Sequence, residues 1–424
     1  MMESAVVKKR YPLLQARLAI GKCSAVVTAC IVATLLVVGA GGLANAQPAS
    51  ADKKPTRPER TAAERADAAR QLREVYRGVP ATWPAPHVDP GVEWKEIGLL
   101  PPVVHPESNP LNDAKVTLGK MLFFDARLSA SGKIACVSCH EPNLGWTDGR
   151  TVSQPHFKDP GRNTPTIRNA AFHAALFWDG RASSLEEQAV DALTNPTEMA
   201  ANRDDVVRLL SGIPVYRKLF ATAFPERPIE FTRVVEAVAC FERTIVGGRS
   251  RFDGFMQGDA SALSETEILG LDLFRREARC MNCHHGPAFS DGRFHDLGLS
   301  FYGRSGADPG RYDVTGDPKE NGRFRTPTLR DVTQTTPLMH TGMFQLAGVL
   351  NMYNAGMPTL RRYAYQQHDP LFPEKSPHLK PLGLNRQDLA DLAAFLGSLD
   401  EPLHTMRPPV LPEFIDAATV GSPR

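Results

Sequence analysis

The chain has little charge of either sign to spare. Its 424 residues carry 49 lysines and arginines against 47 acidic residues, a net charge of +2. Nothing in that balance argues for nucleic acid as a partner. It also has few cysteines free for disulfides. Of the seven, Cys23 and Cys30 lie in an N-terminal targeting segment and four belong to two short motifs. Cys240 remains, alone in an apolar helical pattern, where a single buried thiol reads as core. Alternating apolar and polar runs are scarce, which argues against a β fold.

The long apolar run spans Cys23–Ala44. It follows Lys8, Lys9, Arg10, Arg17 and Lys22 and ends in Ala44-Asn45-Ala46, an A-x-A cleavage signal before Gln47. Residues 1–46 therefore read as a secretory signal. The run is longer than the roughly 7–15 apolar residues of an ordinary signal and is long enough to span a bilayer. A retained inner-membrane anchor is the alternative, and either reading puts the protein in the periplasm.

What the chain does have is one pentapeptide twice. Cys136-Val137-Ser138-Cys139-His140 and Cys280-Met281-Asn282-Cys283-His284 are both C-x-x-C-H, the attachment signature of c-type haem. Two thiols at this spacing reach the two vinyl groups of one porphyrin, and the adjacent histidine supplies an axial imidazole. Covalent haem of this kind is attached outside the cytoplasm, which agrees with an export signal.

The motifs sit in a longer repeat. Leu118-Gly119-Lys120-Met121-Leu122-Phe123 precedes the first and Leu269-Gly270-Leu271-Asp272-Leu273-Phe274 the second. Downstream, Thr164-Pro165-Thr166-Ile167-Arg168-Asn169 matches Thr326-Pro327-Thr328-Leu329-Arg330-Asp331, and the same offset pairs Trp178 with His340 and Gly180 with Gly342. This order predicts a mostly α fold: two cytochrome c-like haem domains related by internal duplication, with long irregular connections. The domains are expected at 98–250 and 251–404, with a tail at 405–424. Before them, 47–97 reads as linker and arm: a polar flexible stretch over 47–60, a charged helix over 61–77 and an extended proline-rich run from Pro80 to Pro110. Ser264 with Glu267 forms a capping box for one helix. Asn385 caps a final helix whose Leu389, Leu392, Phe395, Leu396 and Leu399 make an apolar stripe.

At these residues the chain resembles the bacterial dihaem cytochrome c peroxidases and their relative MauG, over about residues 98–400. Leu122-Phe123-Phe124-Asp125, Arg162-Asn163-Thr164-Pro165-Thr166, Phe177-Trp178-Asp179-Gly180-Arg181 and Cys283-His284-His285-Gly286-Pro287 carry the likeness with the haem motifs. The resemblance implies an oxidoreductase with two covalent c-type haems. Hydrogen peroxide would be activated at the first (peroxidatic) haem, held by Cys136, Cys139 and His140. The second, electron-transfer haem would be held by Cys280, Cys283 and His284. Gln188 and Glu198 match the family's distal pocket, and Trp178 its tryptophan between the haems. A carboxylate such as Glu198 can move a proton from the near to the far peroxide oxygen, and Gln188 can orient peroxide by hydrogen bonds. Relatives usually carry proline four positions after this glutamine, where this chain has Ala192.

His156 matches a detachable ligand that closes the first iron in peroxidases needing prior half-reduction, although the glycine expected before it is missing. At the second iron the resemblance implies Tyr353 or Met352. Adjacent helical residues point about 100° apart, so only one can face the metal. A methionine ligand suits an electron-receiving haem, and a tyrosinate suits the MauG subgroup. Asn163, Thr335 and Pro337 match an interdomain Ca²⁺ site of oxygen ligands, which no acidic loop would have signalled.

Peroxide reduction with electrons from a small cytochrome c or a cupredoxin is the first expectation, and a homodimer is a possible form. A MauG-like oxidase of a partner protein's aromatic residues, acting through a high-valent dihaem state, is the second. A dihaem electron carrier without catalysis is the third.

Overall fold

The computed structural model describes residues 54–152, 161–402 and 405–413. The targeting segment and His156 lie outside the described residues. The helices are α1 (Ala62–Tyr76), α2 (Asp113–Phe124), α3 (Leu185–Thr194), α4 (Arg203–Gly212), α5 (Pro214–Ala223), α6 (Phe231–Glu242), α7 (Arg251–Met256), α8 (Glu265–Arg275), α9 (Tyr312–Thr315), α10 (Leu346–Asn354) and α11 (Arg386–Gly397). Two two-residue strands, β1 (Phe294–His295) and β2 (Phe324–Arg325), pair antiparallel, with Phe294 opposite Arg325. The fold is mostly α. Among the described residues no helix is long and apolar enough to cross a membrane.

The caps form where the side chains dictate. Thr61 and Glu64 close a capping box on α1, Ser264 and Glu267 one on α8, and Asn385 and Asp388 one on α11. Each satisfies backbone N–H groups that the first turn leaves unpaired.

Two apolar cores result. In the first, α2 crosses α6, with α3, α4 and α5 packed around them. In the second, α8 crosses α11, with α1 alongside. Both crossings are built on a glycine. A Cβ on Gly119 would lie 1.9 Å from the Ala237 carbonyl oxygen, and one on Gly270 would lie 2.0 Å from that of Asp391. With no side chain between them the backbones touch, and the aromatic neighbours interlock one turn on. Phe123 meets Phe241 at 5.3 Å between ring centres, and Phe274 meets Phe395 at 5.2 Å, within the range for favourable aromatic pairs.

The duplication is also visible in the loops. Asn169 and Asp331 share a left-handed backbone (φ 65° and 63°), as do Phe177 and Met339 (φ 64° and 69°). Leu176 bridges Ala182 across one tight hairpin, and Leu338 bridges Phe344 across its counterpart. These hairpins carry Trp178 and His340 at matching positions. They dock reciprocally: Asn163 N–H donates to the His340 carbonyl at 2.8 Å, and Arg325 N–H donates to the Trp178 carbonyl at 2.8 Å. Asn163 and Arg325 occupy matching positions, so the exchange has the form of a local two-fold axis, as in a symmetric dimer interface.

Two arrangements differ from the sequence reading. Residues 54–60, expected as flexible linker, are pinned to the second core. Arg57 pairs with Asp388 at 3.1 Å, and Asn385 donates to the carbonyls of Arg57 and Pro58. Charge pairing at the α11 cap outweighs the polar, proline-containing composition. The arm also joins that core, through Ala69, Tyr76, Trp83 and Ile97. At the other end, Met406 returns to the first core, and Arg127 donates to the Pro412 carbonyl at 2.9 Å.

Candidate functional site

Each C-x-x-C-H forms a 3₁₀ turn, Cys136–Ser138 and Cys280–Asn282. In both, the histidine N–H donates to the carbonyl of the first cysteine, at 3.0 Å for His140 and 2.8 Å for His284. This turn puts two thiols and an imidazole on one short loop. His140 Nδ1 then lies 3.1 Å from the Trp146 carbonyl oxygen, and His284 Nδ1 3.0 Å from that of Phe289. A carbonyl only accepts, so Nδ1 carries the proton and Nε2 keeps its lone pair. Burial lowers both imidazole pKa values, which favours the neutral form a metal needs. A hydrogen bond from Nδ1–H to carbonyl is the usual support of a ligating histidine.

Around the first turn lies a cavity of about 580 Å³, lined by Cys136, Cys139, His140, Trp178, Gln188 and Glu198 among others. Gln188 comes from α3, and Glu198 follows that helix. The structure thus brings five residues quoted from the sequence around one space with Trp178. Around the second turn is a narrower cavity of about 200 Å³, lined by Cys280, Cys283, His284 and Tyr353, with Leu346, Val349, Leu350 and Leu382 as apolar wall. Free thiols, a neutral imidazole with a free Nε2 and apolar walls fit a c-type haem at each turn. Cys283, Asp291 and His295 also approach one another closely enough to hold a metal ion. Cys283 belongs to the haem motif, however, and His295 already bonds Asp291 at 2.8 Å.

Glu198 is set for proton work. Asn195 Nδ2 donates to its Oε1 at 2.9 Å, and Arg181 Nη2 lies 3.6 Å from the same oxygen. Burial raises its pKa, partly countered by Arg181 and reinforced by Asp191. Arg181 is itself clamped. It lies over the Phe177 ring at 3.4 Å and donates to Asp191 at 2.7 Å and to Asp179 at 3.1 Å.

Trp178 is buried and lines both cavities. Its Nε1–H donates to the Asn163 carbonyl at 2.8 Å, and its ring meets His340 edge-on at 6.2 Å. His340 stacks on Phe324 at 3.6 Å. Its Nε2 has no partner among the described residues, and burial pulls the imidazole down to about 4. Tyr353 on α10 lines the second cavity, whereas its neighbour Met352 is not among the residues lining it. Burial raises the Tyr353 phenol, with the nearby Cys283 and Cys280 adding to the shift. Asn163, Thr335 and Pro337 line the same cavity. Asn163 Nδ2 donates to the Arg150 carbonyl at 2.8 Å, which fixes the amide.

Sequence reasoning passed over Glu242, buried in the first cavity wall. Burial pushes its carboxyl up to about 8, and its Oε2 has no partner among the described residues. A glutamate at the end of an apolar helix was its only signal. Arg325 and His173, which line both cavities, were also passed over. The repeat could have marked them, because they match Asn163 and Thr335.

A family model described as di-haem cytochrome c peroxidase matches residues 113–261. The chain is 38% identical over 343 residues to cytochrome-c peroxidase IdrP1 of Denitromonas iodatirespirans, covering 72% of this chain and 87% of that protein. It is 40% identical over 315 residues to the methylamine utilization protein MauG of Methylorubrum extorquens, covering 73% and 85%. Among solved structures it is similar to a MauG-like protein associated with microbial copper homeostasis. That match has a TM-score of 0.65 and 33% identity and covers 73% of this chain and 95% of that one.

Proposed function

We propose a reaction for this chain, which belongs to the di-haem cytochrome c peroxidase family: it reduces hydrogen peroxide to water with electrons from a small cytochrome c or a cupredoxin. The family carries two c-type haems, and the chain is an oxidoreductase of the peroxidase class. Here Cys136, Cys139 and His140 would hold one haem, and Cys280, Cys283 and His284 the other. When bound, the haems would supply the one-electron redox chemistry that the two-electron reduction of peroxide needs.

The rest falls to side chains. The observation that carries this reading is the convergence of Gln188, Glu198 and Trp178 on the cavity of the first C-x-x-C-H turn. Asn195 and Arg181 engage Oε1 of the Glu198 carboxyl, which orients the group so that it can accept and return a proton. The Gln188 amide can donate to one peroxide oxygen and accept from the other. Trp178, in the wall of both cavities, offers an aromatic path between them. The export signal supports a periplasmic setting and an exported electron donor. Steady-state oxidation of a reduced small cytochrome c tests the reading: two donors consumed per peroxide are expected, and no peroxide-dependent donor oxidation would overturn it.

Tyr353 supports a second reading, a MauG-like oxidase of a partner protein's aromatic residues. A buried phenol ionises only against a strong local cation, and an iron centre is one. Peroxide added to the fully oxidised holoprotein separates the two. A prompt spectral change without reductant supports the oxidase. Silence until one electron is supplied supports the peroxidase and a gating role for His156. Oxygen ligands from Asn163, Thr335 and Pro337 for one Ca²⁺ between the domains complete the proposal.

A further inference from the structure

Arg325 is an unbalanced buried charge. It is 7% exposed, and burial alone pulls its guanidinium down to about 10. No carboxylate of the described residues pairs with it, whereas Arg162, Arg168, Arg275 and Arg330 all have acidic partners. Two carbonyls orient it: Nε–H donates to Phe177 O at 3.2 Å and Nη1–H to Thr326 O at 3.3 Å. A guanidinium has five N–H donors, so most of the fork is left for something else. A cation held out of water without a counter-charge is strongly destabilising, and proteins rarely keep one unless an anion completes it.

Position narrows the choice of anion. Arg325 lines both cavities, with Asn163, His173 and Trp178. The two-fold relation of the halves pairs Arg325 with Asn163 and His173 with Thr335. Arg325 thus stands at the boundary of the two cavities that hold the C-x-x-C-H turns, where the carboxylate of a group bound in either could reach it. His173 adds no competing charge, since burial with the neighbouring Arg325 brings its imidazole down to about 3.

We propose that Arg325 is a carboxylate-binding site, completed by a propionate of a bound haem. The proposal rests on the two-haem reading but not on bound calcium. A forked guanidinium matches a carboxylate in geometry as well as charge. With the propionate in place the charge is balanced, and the boundary between the two centres is locked to the cofactor.

The test uses the holoprotein, with two haems per chain confirmed by intact mass. Fewer than two in the wild type would fail the two-haem reading rather than this inference. Arg325→Gln and Arg325→Lys are compared with wild type by spectroelectrochemistry and by resonance Raman in the propionate-bending region. Arg325→Gln is expected to shift a propionate band. It is also expected to lower one haem potential by a tenfold change in the reduction equilibrium, about 59 mV for one electron, because a cation favours the reduced centre. Arg325→Lys should keep the potential and still shift the band, since an ammonium cannot make the forked contact. An unmoved band and potential in Arg325→Gln would overturn the proposal. Chloride separates the sources of anion: a wild-type potential that follows chloride concentration would assign Arg325 to a free anion and also overturn it. If Arg325→Gln does not fold, the band shift in Arg325→Lys and the chloride insensitivity of the wild type decide, and either one missing is a refutation.

Discussion

Gly119 is the most exacting position in the first core, and its replacement by alanine has a calculable outcome. The added Cβ would sit 1.9 Å from Ala237 O, 2.6 Å from its carbon and 2.9 Å from Phe241 Cβ. Ordinary contact begins near 3.4 Å, so α2 and α6 must separate by about 1.5 Å to readmit it. Both obstacles are backbone or the root of a side chain and cannot swing aside. Separation would open the seam formed by Leu118, Leu122, Phe123, Val234 and Val238, all fully buried or nearly so. Overpacking of this kind costs about 3 kcal/mol, and the better helix propensity of alanine returns about 1 kcal/mol. The net loss of about 2 kcal/mol lowers melting by about 4–8 °C for a domain of this size. The assay is thermal unfolding of the holoprotein followed by haem absorbance. Gly348→Ala is the control: a Cβ there meets nothing within 4 Å, so that variant should melt at or slightly above wild type. A Gly119→Ala protein that melts with wild type would refute the close-crossing argument.

Three further outcomes follow from the geometry. Burial raises the Glu198 pKa, so its carboxylate form is present above that raised value and lost as pH falls through it. The acid limb of peroxide turnover should therefore lie above the ordinary carboxylate range, and a limb at or below that range would contradict the assignment. Tyr353→Phe should change the visible spectrum of one haem while Met352→Leu leaves it alone; the reverse pattern would move the ligand to Met352. Arg330 makes three contacts of 3.0 Å with Asp253 and also holds the carbonyls of Pro287 and Gly98. Arg330→Gln leaves Asp253 buried without its cation and should cost about 3–5 kcal/mol in denaturant unfolding, an effect absent from an exposed arginine such as Arg208.

The fold was legible where local chemistry decides it. The box at Ser264, the cap at Asn385 and the repeat of Gly119 with Gly270 could be read directly. The second core's use of α1, Trp83 and Ile97 could not, because docking of an arm depends on long-range pairs such as Arg65 with Asp391 and Arg275 with Glu96. Residues 54–60 misled for the same reason: composition favours a linker, while Arg57 finds Asp388. In the site, residues with a motif were visible, and Gln188 and Glu198 came only from family likeness. Glu242 has ordinary sequence surroundings, and Arg325 and His173 carry only the register of the repeat. What distinguishes them is their place in the cavity walls and, for Arg325 and Glu242, burial without an ion pair among the described residues, which only the folded chain reveals. His340 was legible as the mate of Trp178 but not as its edge-on neighbour.

The central claim is that peroxide chemistry takes place in the first cavity with Glu198 moving the proton. Its most direct test is peroxide turnover by Glu198→Gln holoprotein, with both haems confirmed by mass and the reduced donor in excess. The account predicts a fall of about 10²–10⁴-fold in kcat, with both haem attachments intact. Turnover within a few-fold of wild type would contradict it and move the proton transfer away from Glu198.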